Sequence, residues 1–223
     1  MLIDGPRIAP SSGKADTLVV LLHGYGSNGN DLIQLAGMWR GLAPNALWIA
    51  PNAPEPVPGA PGGFQWFPIE ALDPRLLARG VESVAPNLDR FVDRELEKAG
   101  LSADRLVLIG FSQGTMMALH VGLNRARDPL AVIGFSGALT SPPKEPLTAR
   151  PPILLVHGDK DDMVPVAASL AAAEALCKAG HAASFHISAG AGHTIAPDGL
   201  DVATQFLRQA LAGQLKSEPV FIS

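Results

Sequence analysis

The chain carries a single cysteine in 223 residues, Cys177, set in the alanine-rich stretch AAAEALCKAG. With no second thiol to pair with, the fold does not rest on an intrachain disulfide, which suits a reducing compartment. Basic residues are not in excess either. Seventeen Lys and Arg against 21 Asp and Glu leave a formal net charge of -4, the wrong balance for a partner with a phosphate backbone or an anionic bilayer. No run reaches the roughly 20 apolar residues of a membrane span, and the first residues, MLIDGPRIAPSSGKAD, lack the apolar core of a signal peptide. A soluble cytoplasmic protein with no nucleic-acid partner and no stable membrane association is expected. Internal repeats and linkers are also missing, so one domain over residues 1–223 is the simplest organisation.

What the chain has is apolar bulk, 47% of residues, enough for a large core. TLVVLLHG (17–24), NALWIAP (45–51), DRLVLIGF (104–111), PLAVIGFS (129–136), PPILLVHG (151–158) and AASFHIS (182–188) are short apolar runs. Such runs suit strands covered on both faces, hence a parallel sheet. Between them, Leu77, Val81, Val84, Leu88, Phe91, Val92 and Leu96 recur at intervals of mostly three and four, which predicts a helix over 72–100 with a kink at Pro86. Helices are expected also at 30–41, opening at Asn30 or Asp31, at 114–124, at 165–179 from Pro165, and at 197–212. Strand and helix in alternation define a doubly wound α/β fold that takes ligands at the carboxyl ends of its strands.

The segment GYGSNG, Gly24 to Gly29, matches the G-x-G-x-x-G spacing of a dinucleotide loop. That use requires an acid at the end of the following strand to bind ribose hydroxyls. The strand end here is LWIAPNAP, and the first acid, Glu55, comes later, inside PEPVPGAPGG (54–63). A nicotinamide-dependent oxidoreductase is therefore a remote reading. The glycines still allow a sharp strand-to-helix turn whose amides are left to face a ligand. The proline-rich stretch reads as a long surface loop. It runs into FQWFP, where Phe64, Trp66 and Phe67 either wall a pocket or pin the loop to the core.

Gly110, Phe111, Ser112, Gln113 and Gly114 spell G-x-S-x-G between a strand and a helix. In that context the serine stands on a strained turn clear of the sheet, as a nucleophile must. GFSGA (134–138) nearly repeats the spelling, but LTSPPKEP follows and its prolines forbid an immediate helix. Ser136 thus reads as an ordinary strand-end serine near the site. A nucleophilic serine requires a base, and the base a carboxylate. Of six histidines, His23 and His157 precede glycines at strand ends, where backbone capping is expected; His120, His181 and His186 lie on or beside regular elements. His193, in the glycine-rich SAGAGHTIAP after the last strand, has the position to meet Ser112. HGDKDDMVP offers Asp159, Asp161 and Asp162 as the carboxylate, without choosing among them. No metal-binding spacing is present: there is no H-E-x-x-H, and the aspartates lack the glycine and glutamate of a calcium loop.

Together HGYGSNG, GFSQG, HGDKDDMVP and GAGHTI, in order over residues 23–195, resemble the phospholipase/carboxylesterase family, which includes bacterial carboxylesterases and acyl-protein thioesterases. The resemblance implies a compact α/β-hydrolase fold without a cap domain and a catalytic triad of Ser112, Asp161 and His193. It implies an oxyanion hole from the backbone N–H groups of Tyr25 and Gln113, and a substrate cleft that includes Trp66 and Phe67. Tyr25 stands where relatives often carry a smaller or aliphatic residue, and a phenol there would narrow the acyl site. The expected enzyme is a serine carboxylesterase for short- to medium-chain esters, needing no cofactor; an acyl-protein thioesterase or lysophospholipase would use the same triad. The small-molecule ester is its expected partner, and a homodimer stays open. Residues 137–150 are too short for a helical lid, so an open cleft is expected.

Overall fold

The computed structural model describes residues 3–69, 71, 73–142 and 149–215. In chain order the elements are β1 (Arg7–Ile8), β2 (Thr17–Leu22), α1 (Gly29–Leu32), α2 (Gln34–Trp39), β3 (Ala46–Ile49), β4 (Glu55–Pro56), β5 (Phe64–Gln65), α3 (Pro74–Ala99), β6 (Leu106–Phe111), α4 (Gln113–Asn124), β7 (Ala131–Phe135), β8 (Ile153–Gly158), α5 (Val166–Lys178), β9 (Ala183–Ser188) and α6 (Pro197–Leu211). Seven strands form one sheet in the order β1-β3-β2-β6-β7-β8-β9. The six strands foreseen from apolar runs all pair in parallel, and β1 joins β3 antiparallel at one edge.

Alternation along the strands divides the core into two layers. Leu18, Val20, Leu22 and Leu108 face a cluster that includes Leu88 and Phe91 of α3, Met117 of α4 and Leu176 of α5. Val19, Leu21, Val107 and Ile109 face the opposite cluster, with Leu32 of α1, Trp39 of α2 and Phe206 of α6. Burial on both faces is what makes the central strands continuously apolar. The edge strand β9 departs from this rule and is mostly half-exposed, because only one neighbour covers it. Among the described residues no helix is long and apolar enough to cross a membrane.

Several boundaries differ from expectation. The segment 30–41 is two short helices, and the first opens at Gly29 because Asn28 caps it, its side chain accepting from the N–H groups of Asn30 and Asp31. Gly29 is also required for packing, since a Cβ there would lie 2.0 Å from the carbonyl oxygen of Ala50. The long helix begins on the Asp73 cap, ends on Gly100 at φ 66°, and continues unbroken through Pro86. Buried Val84, Ala85 and Leu88 on either side of the proline hold both halves against the core. The proline-rich loop carries a two-residue hairpin, β4 with β5, pairing Glu55 with Gln65 and Pro56 with Phe64. A proline can occupy such an edge, where its missing donor costs no ladder bond. Residues 143–148, inside the stretch considered for a lid, and the tail from 216 lie outside the described residues.

Candidate active site

Ser112 joins β6 to α4 with φ 54° and ψ -117°, a left-handed region that L side chains rarely adopt. Neighbouring strands and helix impose it. The Ser112 N–H donates to the Phe135 oxygen at 2.8 Å and its carbonyl accepts from the Thr115 N–H at 2.9 Å. The flanking glycines let the turn close: a Cβ on Gly110 would lie 2.3 Å from the Gly114 oxygen, and one on Gly114 only 1.9 Å from the Leu22 oxygen. Both obstacles are backbone and cannot swing away. Gly114→Ala should therefore push α4 off the end of β2 and, by overpacking, cost on the order of 1–3 kcal/mol or more; urea denaturation will show a lowered midpoint, and an unchanged midpoint would contradict the close approach.

Ser136 is less ordinary than its sequence suggested. It has φ 49°, is fully buried, and follows Phe135, the register partner of Phe111. The chain must bend sharply there because Gly137 lies against Thr115, where a Cβ would be 2.4 Å from the threonine Cβ. No helix begins in residues 137–142, directly after Ser136, and only Ser112 of the two lines the cavity described below.

Asp161 and His193 meet although 32 residues apart: Nδ1 of His193 lies 2.8 Å from Oδ2 of Asp161. The other carboxylate oxygen accepts the N–H groups of Met163 at 2.9 Å and Val164 at 2.8 Å. Burial by itself would raise the Asp161 pKa; the bonds from Val164, His193 and Met163 outweigh it and hold the carboxyl below its ordinary value. Asp159 serves elsewhere, accepting the Gly190 N–H at 2.6 Å to tie down the loop before His193, and Asp162 is exposed. Geometry thus selects among three aspartates that the sequence left equivalent.

His157 does more than the capping expected of it. It caps, with Nε2 2.8 Å from the Val164 oxygen and Nδ1 2.7 Å from Oγ of Ser169. Its Nε2 also lies 3.1 Å from Oδ2 of Asp161, both side chains being fully buried. A second imidazole therefore packs against the same carboxylate. Sequence reasoning missed this role; the i, i+4 spacing of His157 and Asp161 in HGDKD was the available signal.

The first glycine loop is fastened by buried groups. His23 Nδ1 bonds the Gly24 oxygen at 2.7 Å and Nε2 accepts the Ala53 N–H at 2.9 Å, a neutral tautomer consistent with its lowered pKa, for which burial is the main cause. The Gly26 N–H donates to the Phe64 oxygen and the Phe64 N–H to the Ser27 oxygen. Phe64, Trp66 and Phe67 do not line the cavity described below. Trp66 and Phe67 are buried, and Phe64 packs on the core half-covered. Trp66 Nε1 donates to the His23 oxygen, while the Gln113 side chain accepts the Trp66 N–H at 2.8 Å and donates to the Phe67 oxygen at 2.7 Å. The aromatics are found pinning the loop to the core, the alternative weighed from the sequence. No acceptor among the described residues takes the N–H of Tyr25 or Gln113, each next to a sharp turn beside Ser112. Capping by Asn28 occupies the α1 amides that a pyrophosphate would need.

Ser112 and His193 line one cavity of about 420 Å³ with Gly24, Tyr25, Ile69, Met116, Met163 and Val164. The His193 ring also packs on Phe111, with centroids 4.9 Å apart.

A serine on a strand-to-helix elbow, with the carboxylate after the second strand further along the sheet and the imidazole after the last, is the arrangement of an α/β-hydrolase. Comparison with known proteins agrees. The phospholipase/carboxylesterase family model matches residues 3–211. The chain is 32% identical over 199 residues to esterase YpfH of Escherichia coli strain K12, covering 88% of this chain and 84% of that one. It is 26% identical to acyl-protein thioesterase 1 of Saccharomyces cerevisiae, covering 94% and 100%. The crystal structure of esterase PE8 superposes with a TM-score of 0.90 at 45% identity, covering 94% and 100%. The chain belongs to the phospholipase/carboxylesterase family and is a hydrolase of the esterase class.

Proposed function

We propose that the chain hydrolyses short- to medium-chain carboxylic esters through an acyl-enzyme on Ser112. The observation that carries this reading is the shared cavity: Ser112 and His193 both border it, and Asp161 bonds the far nitrogen of that imidazole. Oγ of Ser112 attacks the ester carbonyl while its proton passes to Nε2 of His193. The tetrahedral oxygen becomes negative and receives the N–H groups of Tyr25 and Gln113, each such donor contributing about 3–4 kcal/mol to the transition state. As the bond to the alcohol breaks, His193 gives its proton to the leaving oxygen. Water then attacks the acyl carbon with His193 again as base, and Ser112 is regenerated. No step calls for a cofactor.

A cavity of this volume lies in the range of small-ligand sites, and half-exposed Tyr25 at its edge favours modest acyl chains. A thioesterase is the second reading, favoured by the likeness to acyl-protein thioesterase 1. Lysophospholipid hydrolysis by the same triad is the other form of it. The discriminating experiment compares kcat/KM for p-nitrophenyl acetate and butyrate, an S-acyl peptide and a lysophospholipid. The esters should be hydrolysed fastest; a thioester preferred by about tenfold, 1.4 kcal/mol, would replace the first reading with the second. The lone thiol and the absent basic excess support a cytoplasmic enzyme acting on a small ester, without nucleic-acid or stable membrane partners.

A further inference from the structure

Beside the cavity runs a second hollow of about 280 Å³, lined by Leu32, Leu35, Met38 and Ile195, with Asp31 and Gln34 also bordering it. It shares two residues with the cavity, Phe111 and His193. The imidazole thus borders two apolar recesses, one holding Ser112 and one not. We propose that this groove is the leaving-group subsite, and that the substrates are esters whose alcohol is itself an apolar chain or ring. The inference rests on the esterase reading above and deepens it.

The order of bond breaking assigns the two recesses. At the tetrahedral carbon the acyl chain and the alcohol oxygen diverge, and the proton that releases the alcohol comes from His193. The alcohol oxygen must therefore lie within reach of the imidazole, and the recess that borders the imidazole without Ser112 is the Leu32/Leu35/Met38/Ile195 groove. The acyl chain is left with Ile69, Met116, Met163 and Val164 around Ser112. Exposure points the same way. Met38 is 65% exposed, Met163 60% and Tyr25 45%, and each borders one of the two recesses. Large apolar side chains left wet on both sides of a reactive centre suit a substrate that covers them. Methionine's flexible, polarizable side chain adapts to chains of varied shape.

The test uses two ester series on the whole chain. Ethyl, butyl and hexyl acetate change the alcohol, and ethyl acetate, butyrate and hexanoate change the acyl group. Unbranched alcohols of these lengths have nearly equal basicity, so the first series varies buried apolar area and leaves the chemistry alone. With one face of the chain still wet, kcat/KM should rise about 2- to 3-fold per added methylene of the alcohol. Met38→Asp, at an exposed position, should collapse the hexyl-to-ethyl acetate ratio and leave the hexanoate-to-acetate ratio unchanged. Met163→Asp should do the reverse. A flat alcohol series with normal hydrolysis of ethyl hexanoate would overturn the subsite alone, as would Met38→Asp acting on the acyl ratio. Failure of the wild type to hydrolyse any of these esters would overturn the esterase reading and the subsite with it.

Discussion

His193→Ala should lower kcat for p-nitrophenyl butyrate by about 10⁶-fold, with KM changed far less. The size follows from how the triad works: members that act as one unit lose nearly everything when the base is removed, and the remainder comes from binding and the oxyanion donors. No substitute is at hand, because His193 is the one base among the described residues that line the cavity. His157, the other imidazole beside Asp161, is fully buried and bonded at both nitrogens. Steady-state kinetics, with near-UV circular dichroism to confirm the fold, measure the effect. A loss under 100-fold would mean that another group accepts the serine proton.

Asp161→Asn should cost about 10⁴ in kcat. The amide can still accept the N–H groups of Met163 and Val164, but it would present a donor where His193 Nδ1 now finds Oδ2 at 2.8 Å. The imidazole would then be held in the wrong tautomer. The same amide would face Nε2 of His157, so stability falls as well. The pH dependence has a definite sign. Folding lowers the Asp161 pKa, so its contribution is complete above the unfolded value, about 4, and is lost as pH falls through the lower folded value. Urea denaturation should show wild type more stable than Asp161→Asn at neutral pH, and the gap should narrow below about pH 4. A gap that widened with acid would contradict an ionised, bonded carboxylate.

The central strands were legible because burial on both faces writes an unbroken apolar run, and the elbow because a helix must follow its serine. Two-residue strands write no such pattern. Arg7–Ile8 and the hairpin of Glu55–Pro56 with Phe64–Gln65 exist through the partner they pair with. The break between α1 and α2 is equally hidden, since Ile33 keeps helical φ and ψ there. At the site, the chain order of serine, acid and histidine could be read, but the choice of Asp161 needed the fold, or the family resemblance, to bring one carboxylate to His193. Trp66 and Phe67 show the limit of composition: burial in a core and burial under a substrate draw on the same side chains. The amide of Gln113, reaching both their backbones, the Trp66 Nε1 bond to the His23 oxygen and their absence from the cavity lining distinguish the two.

Reaction with a fluorophosphonate probe, followed by peptide mass mapping, tests the nucleophile most directly. One phosphonyl group per chain, attached at Ser112 and lost in Ser112→Ala, is the predicted result. Equal labelling of both proteins, or attachment at Ser136, would contradict it.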